Sequence, residues 1–155
     1  MPSLELVHYE LVRLRGGSPP AKPDLSRRDR KLDLKVIFTD LPKTAAALAL
    51  ARTMARALGA RITLMVAQVV PYPLPLTAPQ VPVQFTERLL EPLAVGDTTV
   101  EIYLCRDRNE TFRRALPSDS LVIVGARRRP WWPPWEGQLT KMLRRDGHRV
   151  LVVSV

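Results

Sequence analysis

Apolar and polar positions follow two different periods along the chain, and the changes of period delimit the predicted elements. Residues 35–39 and 61–70 are short, nearly continuous apolar runs that predict strands. Between them, residues 45–58 are rich in alanine and leucine and carry an apolar stripe at helical spacing. Gly59 is placed to end this helix. Strands without polar alternation are buried on both faces, so this strand–helix–strand unit predicts a parallel sheet.

The start of the first helix is marked by several residues after the first strand. Asp40 ends that strand, Pro42 lies at the helix entrance, and Thr44 is the predicted N-cap, with a cap at Asp40 as the alternative.

The rest of the chain repeats the alternation of strands and helices. Five prolines between residues 71 and 82 exclude a helix or a central strand there. A short helix is predicted over 83–91, with Phe85, Leu89 and Leu90 facing inward, and another begins at an N-cap Asn109. The remaining predictions are strands over 99–105, 121–124 and 150–155 and a helix over 139–145. Residues 34–155 therefore predict an α/β domain with a five-stranded parallel sheet flanked by helices, a Rossmann-like arrangement.

Residues 1–33 form a separate N-terminal arm and linker by composition. Residues 16–30 combine glycine, proline, serine and mixed charge, which is typical of a linker. Residues 1–15 fit two patterns: Leu4, Val7, Leu11 and Leu14 make a helical stripe, whereas 7–11 alternates as a strand. The sequence leaves both open.

Composition limits the class of protein. The 155 residues suffice for one domain with a core, and the single cysteine excludes an intramolecular disulfide. We find neither a signal-peptide pattern nor an apolar run of about 20 residues, so we expect a cytoplasmic protein without a membrane span. Residues 106–155 contain eleven Lys/Arg and five Asp/Glu, so they carry most of the net charge of +9. We find no nucleic-acid-binding motif, so a nucleic-acid-binding module that uses this basic surplus ranks last among the functions considered.

The chain contains no combination of residues that predicts catalysis or metal binding. His8 and His148 are the only histidines, and neither has a nearby nucleophile pattern. Cys105 ends an apolar strand, as a buried core thiol does. We therefore expect no catalytic residues, no metal and no enzymatic activity.

The loop after the fourth strand carries the most distinctive composition. Arg127, Arg128 and Arg129 present forked donors that suit an anion, although a solvated basic turn fits equally. Trp131, Trp132 and Trp135 alternate with prolines that stiffen the backbone. Arginine beside tryptophan suits a protein partner, stacked bases or a membrane interface, and the alternative is that the rings fold back over the core.

The predicted core resembles the universal stress protein family over about residues 34–155. Four features carry the resemblance: a first strand ending in Asp40, Gly-Ala-Arg-Ile-Thr-Leu at 59–64, Asp-Ser-Leu-Val-Ile-Val-Gly at 119–125, and Val-Leu-Val-Val at 150–153. The resemblance implies an α/β fold of the adenine nucleotide alpha hydrolase-like type. It also implies a homodimer formed through the last strand, with Val150, Val152 and Val153 at the contact. An unprotected apolar edge independently favours such pairing.

The nucleotide-binding branch of that family carries a glycine-rich pattern after strand four, which this chain lacks in part. Gly125 matches the first glycine, Arg128 replaces the second, Gly137 is displaced by one residue from the third, and Gln138 replaces a serine or threonine. A phosphate cradle needs glycine because the backbone must approach the oxygens closely. The resemblance therefore implies a degenerate nucleotide site.

We accordingly predict a non-enzymatic domain that acts by self-association or partner binding and needs no cofactor. The alternative is binding of ATP or another adenine nucleotide, with Asp40 at the adenosine and Arg127 and Arg129 replacing the glycine loop.

Overall fold

The computed structural model describes residues 7–11, 32–76, 83–96, 98–127 and 135–155, with backbone only for 7–11 and 83. These residues form six strands and four helices in one sheet-centred domain. The strands are β1 (Val7–Leu11), β2 (Asp33–Ile37), β3 (Arg61–Val69), β4 (Thr98–Cys105), β5 (Leu121–Ala126) and β6 (Arg149–Ser154). The helices are α1 (Leu41–Leu58), α2 (Val83–Leu90), α3 (Arg108–Ala115) and α4 (Trp135–Arg145).

The predicted parallel sheet is confirmed, and its strand order is β4-β3-β2-β5-β6. A sixth strand, β1, pairs antiparallel with β4, from Val7 opposite Leu104 to Leu11 opposite Val100. Of the two conformations that the sequence left open for residues 7–11, the structure therefore has the strand. It lies at the β4 edge of the sheet, and β6 lies at the opposite edge.

Helix α1 begins four residues earlier than the apolar stripe suggested. Its N-cap is Asp40, whose side chain accepts a hydrogen bond from the Lys43 backbone N–H at 2.9 Å. The predicted N-cap, Thr44, is wrong, because Thr44 lies inside the helix and its hydroxyl accepts a hydrogen bond from the Thr39 N–H. Pro42 lies in the first turn of α1. Proline has no N–H, but an N–H in the first turn has no hydrogen-bond partner within the helix, so this proline does not weaken α1. At the other end Gly59 adopts φ 62°, as a C-terminal glycine should.

The helices cover both faces of the sheet. On one face, α1 packs on alternate residues of the central strands, with Leu48, Ala51, Val36 and Leu64 in one buried cluster that also includes Leu90. On the other face, Phe112 of α3 and Leu139 of α4 pack in a second cluster. The near-continuous apolar strands are explained by this burial on both sides.

Three local predictions need correction. In α2, Leu90 is buried as predicted, but Phe85 and Leu89 are exposed (59% and 41%). The N-cap of α3 is Asp107, which accepts from the Glu110 N–H, rather than Asn109. Helix α4 begins at Trp135, four residues before the predicted start. Short helices contain too few turns for periodicity to fix which face is buried.

Gly125, near the end of β5, allows α1 to approach the sheet closely. A Cβ added at Gly125 would lie 2.2 Å from the Lys43 carbonyl oxygen and 2.6 Å from its carbonyl carbon. These are backbone atoms of the first turn of α1, so they cannot rotate away. Gly125 thus fixes the distance between β5 and the start of α1.

We predict that Gly125→Ala destabilises the protein more than Gly59→Ala, measured as the free energy of unfolding in urea. A Cβ added at Gly59 meets open space, so Gly59→Ala should lose only the cost of holding alanine in the left-handed conformation, about 1–2 kcal/mol of unfolding free energy. At Gly125 the methyl group must displace a helix backbone, and overpacking of this kind costs about 1–3 kcal/mol or more. Equal losses, or a smaller loss for Gly125→Ala, would show that α1 moves freely away from β5.

Candidate functional site

The strand order creates one crevice at which a ligand is expected. From β2 the chain runs through α1 to β3 on one side, and from β5 it runs through α4 to β6 on the other. Neighbouring parallel strands whose connections diverge in this way leave a crevice beyond their carboxyl ends, where α/β proteins bind ligands. Here β2 leads into Asp40, and β5 ends at Gly125 and Ala126, followed by Arg127.

A network of charged side chains lies in this crevice. The Lys43 ammonium lies 2.6 Å from Glu136 Oε1 and 3.0 Å from Asp40 Oδ2. Lys43 belongs to the first turns of α1, and Glu136 to the first turn of α4. One lysine therefore joins the N-terminal ends of both helices that flank the crevice.

The Lys43–Glu136 pair is withdrawn from solvent, with side-chain exposures of 14% and 4%. The hydrogen bond from the Lys43 ammonium to Glu136 is the main reason that the pKa of Lys43 is raised above its ordinary value. Burial acts in the opposite direction and is outweighed. Burial alone would raise the pKa of Asp40. The Lys43 backbone N–H and ammonium, together with the charge of Arg127, outweigh burial and lower it. The Lys43 ammonium and the Asp40 carboxylate thus keep their charge at neutral pH.

The carboxylates of Asp40 and Glu136 lie at helix N-termini, where an external anion would otherwise be favoured. The N-terminus of a helix attracts negative charge through its free N–H groups and its dipole. At α1 this charge is supplied by the Asp40 carboxylate, and in the first turn of α4 by Glu136. The crevice therefore contains its own anions, already paired with Lys43.

The residues predicted from sequence are distributed unevenly. Asp40, Gly125 and Arg127 lie together at the crevice. Gly137 and Gln138 lie in the first turn of α4, so they belong to a helix and not to an extended glycine loop. Arg128, Arg129, Trp131 and Trp132 lie outside the described residues.

Trp135 contacts the core instead of standing free. It is the first residue of α4, is partly buried, and packs against the cluster that contains Phe112 and Leu139. The Arg108 guanidinium lies 4.3 Å from the centroid of its ring. The indole thereby connects the beginnings of α3 and α4, and for this tryptophan the structure favours packing over the core.

Sequence reasoning missed the two central residues, Lys43 and Glu136. Neither belongs to a recognised motif, and each looks like an ordinary helix-surface charge. One signal was available: both follow the two strands that the βαβ pattern places side by side, within the first turn of the next helix.

Other polar residues singled out from the sequence have structural partners. His148 is buried, and its Nδ1 accepts a hydrogen bond from the Ser120 N–H at 3.2 Å. Cys105 is buried as predicted, and burial raises the pKa of its thiol. Among the residues described, no group of three or more His, Cys, Asp or Glu is placed to hold a metal ion. No described helix is long and apolar enough to cross a membrane.

Comparison with known proteins adds no assignment. No protein-family model matches the chain, and no curated protein matches it significantly. The likeness to universal stress proteins rests on the residues quoted above.

We predict strong coupling between Lys43 and Glu136 in a double-mutant cycle. Lys43→Met leaves the buried Glu136 carboxylate without its partner and should cost about 3 kcal/mol of unfolding free energy. Glu136→Gln leaves Lys43 paired with Asp40 alone and should cost less than that. The double variant should cost much less than the sum, because neither charge remains. The exposed Arg114–Glu110 pair on α3 serves as control and should couple by about 0.3–0.5 kcal/mol. Additive losses at Lys43 and Glu136 would show that the pair carries no net interaction.

We also predict that Trp135→Ala lowers the free energy of unfolding by about 2–3 kcal/mol, somewhat below the loss for a fully buried indole. Trp135→Phe should retain most of the packing. Arg108→Ala, which removes only the cation–π contact, should cost about 0.5–1 kcal/mol. An unchanged melting temperature for Trp135→Ala would mean that the indole contributes nothing to the core.

Proposed function

We propose that this protein is a non-enzymatic, universal-stress-protein-like binding domain that acts by association with a second copy of itself, and that it does so without a nucleotide cofactor. The observation that carries the proposal is the Lys43–Glu136 pair, which lies in the crevice where a nucleotide phosphate would be expected. A cytoplasmic location and a role in stress response belong to the same proposal.

Two further features argue against a phosphate cradle built from backbone. The position of the family's second glycine is Arg128. Gly137, the residue nearest to the third, lies in the first turn of α4, where its N–H is held in helical geometry. Arg128 carries a Cβ, which a glycine loop lacks, and Gly137 belongs to a helix instead of such a loop.

The edge strand β6 provides a surface for self-association. Within the described part of the chain it pairs only with β5, since β1 lies at the far edge of the sheet. Leu151 and Val152 are 38% and 42% exposed, and Val155 just beyond the strand is 54% exposed. Strand β6 contains neither lysine nor proline to hinder pairing. Two copies joined edge to edge about a two-fold axis would cover these residues.

Nucleotide binding is the alternative that one observation favours. Arg127 lies close enough to Asp40 to lower the pKa of its carboxyl, so a guanidinium is present at the crevice. Titration of ATP into the wild-type protein separates the two functions: micromolar affinity would support the alternative. A protein partner at the Trp–Arg loop (residues 127–135) is compatible with either function.

We predict that the wild-type protein has twice its 17.5 kDa chain mass in light scattering at micromolar concentration. Leu151→Lys should shift it towards the monomer, because the substitution places a charge in the apolar edge contact. Leu89→Lys on α2 is the matched control: this leucine has a similar exposure but lies away from β6, so the dimer should persist. A monomeric wild type, or dissociation by both variants alike, would refute dimerisation through β6.

A further inference from the structure

We propose that Lys43 forms a latent anion-binding site whose resident ligand is the Glu136 carboxylate, so that an external phosphate or carboxylate group binds only when Glu136 is displaced. This inference rests on the proposed function, in which the crevice takes no nucleotide phosphate, and it goes further by naming the group that keeps ligands out.

The first argument is geometric. The Lys43 ammonium has contacts with two carboxylates, at 2.6 Å to Glu136 and 3.0 Å to Asp40, and the shorter contact is to the residue farther away in sequence. Asp40 is already committed as the N-cap of α1, where it accepts from the Lys43 backbone N–H. Among the described contacts the Glu136 carboxylate does not cap α4; it accepts a hydrogen bond from the Lys43 ammonium. Glu136 is therefore the removable member of the network.

The second argument is charge balance. Lys43 and Arg127 together carry two positive charges, and Asp40 and Glu136 carry two negative charges. Without Glu136 the group has a net charge of +1 at the beginning of α4, whose dipole also favours a negative charge. An external anion would restore the balance with the same kind of ammonium–oxygen contact.

The third argument is burial. Glu136 is 3% exposed, although glutamate is rarely buried this far unless it is paired. The Lys43 contact compensates for its lost hydration, and the pKa of Lys43 is raised as expected for an ammonium held by a carboxylate. The space that the carboxylate occupies is thus a polar position inside the fold, matched to a small oxyanion.

The test uses Glu136→Ala, with inorganic phosphate and acetate as probes at constant ionic strength. The melting temperature reports binding, because a ligand that binds only the folded state stabilises it. We expect phosphate or acetate to raise the melting temperature of Glu136→Ala, with an affinity at least about tenfold higher than for wild type. A response to phosphate alone would identify a phosphoryl ligand, and a response to both would identify a general oxyanion site.

Two controls give this test its specificity. Lys43→Gln/Glu136→Ala removes the cation and should lose the response. Glu110→Ala removes a carboxylate from the first turn of α3, where it pairs with surface arginines, and should gain none. If Glu136→Ala fails to fold, Glu136→Ser, which also vacates the position of the carboxylate, is used in its place. No gain in either Glu136 variant, or an equal gain without Lys43, would overturn the inference. Failure of the proposed function would show separately, as a monomeric wild type or as ATP binding by it.

Discussion

The close contact between Gly125 and the first turn of α1 is the constraint on which the arrangement of the crevice depends. Since no Cβ separates them, the Lys43 backbone lies directly against the end of β5. This position brings the Lys43 ammonium within reach of α4, which follows β5 in the chain, and so permits the contact with Glu136. A larger residue at position 125 would move α1 outwards and separate the two charges. A packing requirement at one glycine thereby determines the electrostatics of the site.

A glycine at the end of this strand has two physical explanations, and the structure distinguishes them. In a phosphate-binding loop, glycine allows a ligand to approach the backbone. In this protein the space beside Gly125 is taken by the backbone of α1. At this position of the βαβ pattern, Gly125 serves helix packing instead of ligand binding. A glycine at the end of such a strand is therefore not by itself evidence for a ligand site.

The sequence predicted the sheet and its order of elements well, because burial on both faces leaves a clear signal in 35–39, 61–70 and 121–124. It predicted helix starts less well, since Asp40 and Thr44 are both good caps and only tertiary contacts decide between them. The orientation of Phe85 was wrong because two turns of helix do not define a face. Lys43 and Glu136 escaped prediction because their pairing depends on two segments about 90 residues apart, which local pattern does not encode.

The antiparallel strand β1 has a consequence for the order in which the protein folds. Val7 pairs with Leu104, so β1 finds its partner strand only after about 100 further residues have been made. The β2–β5 pairing at the centre of the sheet also joins distant parts of the chain, from Leu34 to Leu121. Contacts between such distant residues require closure of large loops and slow the search for the native state. During synthesis β1 therefore stays unpaired until β4 has been made, and a chaperone that recognises unpaired strand edges would meet this intermediate before the completed sheet.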